Sequence, residues 1–328
     1  MGLTKKSTGS KILLNDLDAL KTVSEDSCII ALTGNPNVGK SSIFNILTGL
    51  KQHTGNWPGK TVTTAYGHYK YKDKDFIIVD LPGTYSLLSN SSDEEIARNF
   101  ICFSPSHLTV IVVDATCVER NLNLVLQIIE MNSNVLVCVN LIDEAERKNI
   151  KVNIPKLSEK LGVPVVATSA SKKTGIDLLK QEILNFTSGP AIASPLAITY
   201  DASLEHALSL IYPRVSELTG DRLNCKWVCL KLLDYDESII QSIDNHLECN
   251  LWDDLELKES LQSAKDYLKE QGIHLEYIKD RIASNIISIS QSIAEEVVTF
   301  TDKNHRHLDN KVDNILTSKK YGIPIMIF

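Results

Sequence analysis

The stretch Cys28-Ile-Ile-Ala-Leu-Thr-Gly-Asn-Pro-Asn-Val-Gly-Lys-Ser-Ser-Ile-Phe-Asn-Ile-Leu47 decides the fold. Its first six residues are an apolar run of buried-strand length, and its last eight space Ile43, Phe44 and Leu47 as one helix face does. Between them, residues 34–41 fit the pattern G-x-x-x-x-G-K-[ST], placed where a phosphate loop needs to be, after a strand and opening a helix. Gly34 and Gly39 let the backbone wrap phosphates, and the loop of Asn35, Pro36, Asn37 and Val38 brings its freed amides, with the helix dipole, to bind them. Lys40 reaches the β and γ groups, Ser41 ligates magnesium, and Ser42 beside it is counted with the nucleotide-binding residues.

Outward from this stretch, short apolar runs over 28–33, 76–80, 108–114, 134–140 and 163–168 alternate with helical patterns over 40–47, 92–103, 122–131, 154–161 and 175–186. Such alternation predicts an α/β P-loop GTPase domain, a mostly parallel sheet with helices on both faces. Residues 65–71 alternate polar and apolar and read as an antiparallel edge strand. A Gly/Pro-rich stretch over 187–203 marks a boundary, after which strands are expected to disappear. Helices are expected over 204–218, 224–233, 238–249, 255–270, 275–300 and 310–318. The domains read as an arm over 1–27, a GTPase domain over 28–188, an all-α domain over 189–300, and a linker leading to a membrane helix over 301–328.

Composition agrees with two globular domains. The chain has 328 residues, 43% hydrophobic, and its formal charge of −7 disfavours a nucleic-acid binder that relies on bulk positive charge. Seven scattered cysteines with no C-x-x-C pair suggest neither a disulfide framework nor a zinc ribbon, so a reducing cytoplasm is expected. No run reaches the length of a membrane span and no signal peptide precedes the first strand, so the fragment is expected to be soluble.

A phosphate loop alone leaves ATP and GTP undecided, and the next boxes settle it for guanine. Asp80, Leu81, Pro82 and Gly83 end a strand, which places Asp80 to hold magnesium through water and the Gly83 amide to sense a γ-phosphate. Asn140, Leu141, Ile142 and Asp143 end another, where Asp143 can accept from guanine N1 and the exocyclic amine, a donor pair that adenine lacks. Asn140 braces that loop, and Ser169 and Ala170, just past Thr168, offer a backbone amide to guanine O6. Each box sits at the carboxyl end of a strand, where open α/β sheets bind ligands. Between the phosphate loop and the strand at 76–80, residues 53–62 read as the first switch region, with Gly59, Lys60 and Thr61 near the nucleotide and Thr61 completing magnesium coordination. Trp57 there reads as a switch or partner contact rather than core.

Two positions depart from the commoner GTPase pattern. Leu141 stands where Lys is usual, predicting weaker binding and faster exchange. Thr84 stands where Ras-like proteins carry a water-orienting Gln, so slow intrinsic hydrolysis is expected. Asn37 is the candidate compensator, since in potassium-activated GTPases an Asn at this place helps to ligate a monovalent cation; the bland alternative is that it only tolerates a tight turn.

The motifs together resemble FeoB, the bacterial ferrous iron transport protein B. They are the phosphate loop, Gly55-Asn-Trp-Pro-Gly-Lys-Thr61, Asp80-Leu-Pro-Gly-Thr-Tyr-Ser86, Asp93-Glu-Glu-Ile-Ala-Arg98, Val113-Asp-Ala115 and Glu119-Arg-Asn-Leu122. The resemblance implies GTP and GDP as ligands, magnesium on Ser41, Thr61 and Asp80, potassium on Asn37, and catalytic parts played by Asn37, Lys40, Thr61 and Gly83. It implies that the helical domain inhibits guanine-nucleotide dissociation. It also implies that the chain is the cytoplasmic part of an iron transporter at the bacterial inner membrane, with residues 323–328 starting the first membrane helix. The partners implied are the membrane domain and small cytoplasmic accessory proteins, an oligomer being compatible; no nucleic acid is expected. The runner-up is a soluble potassium-dependent GTPase of tRNA modification or ribosome assembly, disfavoured by the acidic charge and the Gly-Asn-Trp-Pro-Gly segment. Two clusters are weighed for metal: His305 and His307 with Asp302, Asp309 and Asp313, read as a solvated turn, and Cys225 with Cys229, read as packing.

Overall fold

The computed structural model describes residues 27–49, 52–56, 63–88, 91–189 and 194–300. The expected arm, Trp57, Gly59, Lys60, Thr61, the His305/His307 cluster and the helix over 310–318 lie outside the described residues.

Strand β1 (Cys28–Gly34) is buried along its whole length and runs parallel to β4 (Lys74–Asp80) on one side and β5 (Leu108–Asp114) on the other. Strands β6 (Val135–Asn140) and β8 (Val165–Ala167) continue the parallel set. On the far side of β4, β3 (Thr63–Tyr71) and β2 (Gln52–Asn56) add as antiparallel strands, giving the order β2-β3-β4-β1-β5-β6-β8. Strand β3 is therefore internal: the edge is β2, in a segment read from sequence as switch loop. The alternation predicting β3 was legible, but Gln52–Asn56 is polar and Gly-containing, and it pairs through backbone bonds that leave no apolar period.

The two sheet faces separate by strand parity, as a period of two dictates. Ile30, Leu32, Val110 and Val112 face α1 (Lys40–Thr48) and α6 (Ile176–Ser188). Ile29, Ala31, Ile111 and Val113 face α2 (Ser92–Phe103), α3 (Val118–Met131) and α5 (Ile154–Leu161). Helix α3 starts four residues earlier than its apolar period suggests. Its first turn, Val118-Glu-Arg-Asn, begins after Cys117 and carries buried Val118 and Asn121. A short helix α4 (Ile142–Arg147) and strand β7 (Ile150–Val152), neither expected, link β6 to α5.

The second half is helical: α7 (Ala202–Thr219), α8 (Cys225–Asp234), α9 (Glu237–Leu247), α10 (Leu255–Glu270) and α11 (Ile278–Val297). Side chains of Asp201, Asn224, Asp236 and Asp254 cap the first four by accepting from backbone amides. One expectation is corrected here. The last helix does not run to Phe300; Val298–Phe300 forms β9, antiparallel to β7, so a strand returns from the helical half to the sheet half. Val298-Thr-Phe is β-branched and aromatic, which suits a strand once β7 offers an edge.

The two halves share one core cluster, in which α3 packs along α11. Polar links cross the same seam. Tyr200 Oη donates to Glu130 Oε1 at 2.6 Å, Asn153 N donates to Val297 O at 2.8 Å, and Lys156 and Lys160 pair with Glu296 at 3.0 and 2.6 Å. Burial pushes the Glu130 carboxyl up, against the Tyr200 hydrogen bond and the nearby Lys231 and Lys226. No helix among the described residues is long and apolar enough to cross a membrane.

Candidate functional site

Four loops meet at the carboxyl ends of β1, β4, β6 and β8, and the backbone explains why these residues build them. Gly34 has φ +155° and Gly39 has φ +83°; a Cβ on Gly34 would overlap the Val112 carbonyl, and one on Gly39 would overlap the Asn140 amide. Gly39 caps α1 and has no side chain to accept from the first amides of that helix. That is the arrangement that binds anions. Asn37 sits at φ +67°, a left-handed conformation that Asn tolerates better than most, and it is exposed. Both the cation reading and the turn reading of Asn37 are compatible with that geometry. Asn35 is 3% exposed, and neither side-chain amide atom is paired among the described residues.

The Asp80-Leu-Pro-Gly loop lies against this one. Leu81 N donates to Leu32 O at 2.9 Å and Thr84 N to Gly34 O at 3.3 Å; a Cβ on Gly83 would stand 3.4 Å from Pro36. Lys40 Nζ forms an ion pair with Asp80 Oδ1. Burial pushes the Asp80 carboxyl up, and the charge and hydrogen bond of Lys40 oppose that shift. An ammonium, a carboxylate and the exposed Ser41 hydroxyl on neighbouring loop ends are a donor set that fits a nucleotide phosphate with magnesium.

Asn140 is the hub. It is fully buried; its Nδ2 donates to Val38 O at 3.0 Å, and its Oδ1 accepts from Ala170 N at 3.1 Å and from Thr168 Oγ1 at 3.2 Å. One side chain thus ties the phosphate loop, the end of β6 and the loop after β8. The Ala170 amide, read from sequence as a donor to guanine O6, is donated to Asn140, so it reaches a ligand oxygen only by sharing. Leu141 adopts φ +62° as the cap of α4, a conformation costly for a γ-branched residue and one that no sequence pattern announced. Asp143 accepts from Ser169 Oγ at 2.7 Å and from Ser171 Oγ at 3.0 Å. The Ser169 hydrogen bond leads in holding its carboxyl below the usual range, over an opposing desolvation.

Two residues of α3 hold the second loop in place, through contacts to which sequence reasoning gave no role. Arg120 stacks its guanidinium 4.4 Å from the Tyr85 ring and Gln127 Oε1 accepts from Leu87 N at 2.8 Å, while buried Asn121 ties the start of its own helix by donating to the Cys117 carbonyl at 2.9 Å. Arg120 and Asn121 fell in a quoted motif but were given no role, because contacts between a loop and a helix face carry no period. Cys229 is fully buried among apolar neighbours and Cys225 donates to the Tyr212 carbonyl at 3.6 Å. Among the described residues no group of three or more His, Cys, Asp or Glu is placed to hold a metal ion.

Comparison with known proteins places this arrangement. Residues 28–183 match the family model for ferrous iron transport protein B, and residues 200–299 match that for the FeoB cytosolic helical domain. The Fe(2+) transporter FeoB of Staphylococcus aureus strain COL is 29% identical over 306 residues, which is 92% of this chain and 43% of that protein. The chain therefore spans about two fifths of the length of that relative. A crystal structure of an S. thermophilus NFeoB variant bound to GDP superposes with a TM-score of 0.69 at 31% identity, covering 83% of this chain and all of that one. The cytosolic domain of the T. maritima FeoB iron transporter in its GMPPNP form gives 0.66 at 30%, with 83% and 99% covered.

Proposed function

The chain belongs to the family of ferrous iron transport protein B, and from that premise we propose that it binds and hydrolyses GTP on the cytoplasmic side of a bacterial ferrous iron transporter. Nucleotide state, in this reading, moves the loops around Thr61 and Gly83, and the helical domain passes that movement to a membrane domain at the inner membrane. Small cytoplasmic accessory proteins are further partners. The observation that carries the nucleotide reading is the Asn140 hub, which brings the phosphate loop and two base-side loops to one point. Relatives with GDP and with GMPPNP support guanine as the base.

The chain's own groups divide the work. The amides from residue 35 onward and Lys40 hold the β- and γ-phosphates, the Gly83 amide donates to the γ-phosphate, and Asp143 accepts from the guanine edge. Ser41 and Asp80, with Thr61, would hold magnesium, and Asn37 would hold potassium; when bound, these cations supply positive charge against the charge that develops on the transferring phosphoryl group. Lys40 and Asp80 are partners of each other in the structure, so loading replaces one ion pair by two separate ones. Water attacks in line to give GDP and phosphate. Thr84 is buried and lacks the reach of a Gln to orient that water, which predicts slow turnover without potassium.

Fluorescent-GTP binding and phosphate release, in potassium and in sodium chloride, test this reading with Lys40→Ala as comparison. Tight binding, turnover faster in potassium, and loss of both in the variant are expected. Equal rates in the two salts remove the potassium role, and unchanged binding by Lys40→Ala removes the site.

A further inference from the structure

The loop after β8 puts a second hydroxyl on the base-reading carboxylate. Ser169 Oγ donates to Asp143 Oδ1 at 2.7 Å and Ser171 Oγ to Oδ2 at 3.0 Å, so each carboxylate oxygen has its own tether. The two hydroxyls lie 3.1 Å apart, and Lys172 N donates to Ser169 Oγ at 3.3 Å. The loop is itself closed, with Ser169 and Thr174 exchanging both backbone bonds at 3.1 Å and Lys173 turning the chain at φ +56°. Oδ1 and Oδ2 belong to a torsion that in Asp is broad and two-fold, and a single tether leaves rotation about the tethered oxygen. Two tethers fix the plane. Each ionised oxygen still has a lone pair free for a ligand donor. The neighbouring Leu141 brings no cation to do this, since its side chain is aliphatic and its backbone is committed to capping α4.

We propose that Ser171 is a positioning residue for guanine recognition, locking the Asp143 carboxylate in the plane in which both oxygens accept from the two adjacent donors of the base. This rests on the guanine reading above. Ser171 touches Asp143 and not the reacting phosphate, so its removal acts on selectivity and leaves the phosphate contacts alone.

The test is equilibrium titration of fluorescent GDP and fluorescent ADP into the whole chain, its Ser171→Ala variant and its Ser171→Thr variant. In Ser171→Ala the Kd for GDP rises about tenfold, the size of one hydrogen bond to a charged group, while the Kd for ADP is unchanged, so the selectivity ratio falls by the same factor. Ser171→Thr keeps a hydroxyl and restores the ratio to within about twofold. An unchanged ratio in Ser171→Ala, an equal loss for both nucleotides, or a Thr variant as impaired as the Ala variant overturns the proposal. An unsubstituted chain that binds ADP as tightly as GDP overturns the guanine reading itself, and that result is visible before any variant is made.

Discussion

Replacing Asn140 by Ala removes the hub of the site and should be the most damaging single truncation there. The side chain is fully buried, and its loss leaves the Val38 carbonyl and the Ala170 amide without partners in surroundings only 2% and 8% exposed; Thr168 Oγ1 keeps Cys138 Sγ at 3.2 Å. Each newly orphaned buried group costs about 1–3 kcal/mol. The sum is about 4 kcal/mol, which for a domain of this size corresponds to a fall in melting temperature of about 10 °C. Asn140→Asp should not rescue it, because a carboxylate oxygen then faces the Val38 carbonyl where a donor stood. The assay is thermal unfolding of the nucleotide-free chain followed by circular dichroism, with urea midpoints as a second measure. A fall below about 3 °C in the Ala variant would mean that the three loops hold their positions without this side chain, and the account of the site as one hydrogen-bonded unit would be wrong.

Two further outcomes follow from the same structure. Burial raises the Glu130 carboxyl above its ordinary range, so its contribution to stability is full below that range and is lost as pH rises through the raised value. Glu130→Gln keeps an acceptor for Tyr200 and removes the titration. Melting curves should therefore show the variant gaining on the parent at pH 8 and not at pH 4, and a gain independent of pH would refute the assignment. Gly175 has φ +77°, and a Cβ there would overlap the Ala167 carbonyl. Gly175→Ala should destabilise by about 2 kcal/mol or more, seen as a lowered urea midpoint, and an unchanged midpoint would show that the turn into α6 can relax.

What was legible in the sequence is what repeats or what chemistry demands at fixed spacing. The parallel strands, buried on both faces, stood out as apolar runs, and the loop residues between them are of the kinds that phosphates, magnesium and a purine edge require. What was not legible depends on a partner far along the chain. Strand β9 looked like the end of a helix because Val297 and Val298 fit both periods, and only the edge offered by β7 decides between them. Strand β2 carries no apolar alternation, since its pairing with β3 is a matter of backbone bonds. The roles of Ser171 and Arg120 were not legible for the same reason: a hydroxyl just past a known box, or an Arg on a helix start, has meaning only once Asp143 or Tyr85 is beside it.

The short ladder between β7 and β9 has a mechanical consequence. Ile150 pairs with Phe300, Lys151 with Thr299 and Val152 with Val298, and β7 follows the six-residue α4 that begins beside Asn140 and Asp143. The carboxyl end of α11 is thus moored to the loop that carries Asp143 through the short helix α4, while residues 34–41 lie on the far side of the Asn140 hub. A pull directed along β9 loads the ladder in shear, with its bonds bearing it together; a pull across it peels them one at a time, starting at Ile150. The ladder therefore couples the carboxyl end of α11 to the segment that follows α4 through backbone bonds, so a shift of one is passed to the other.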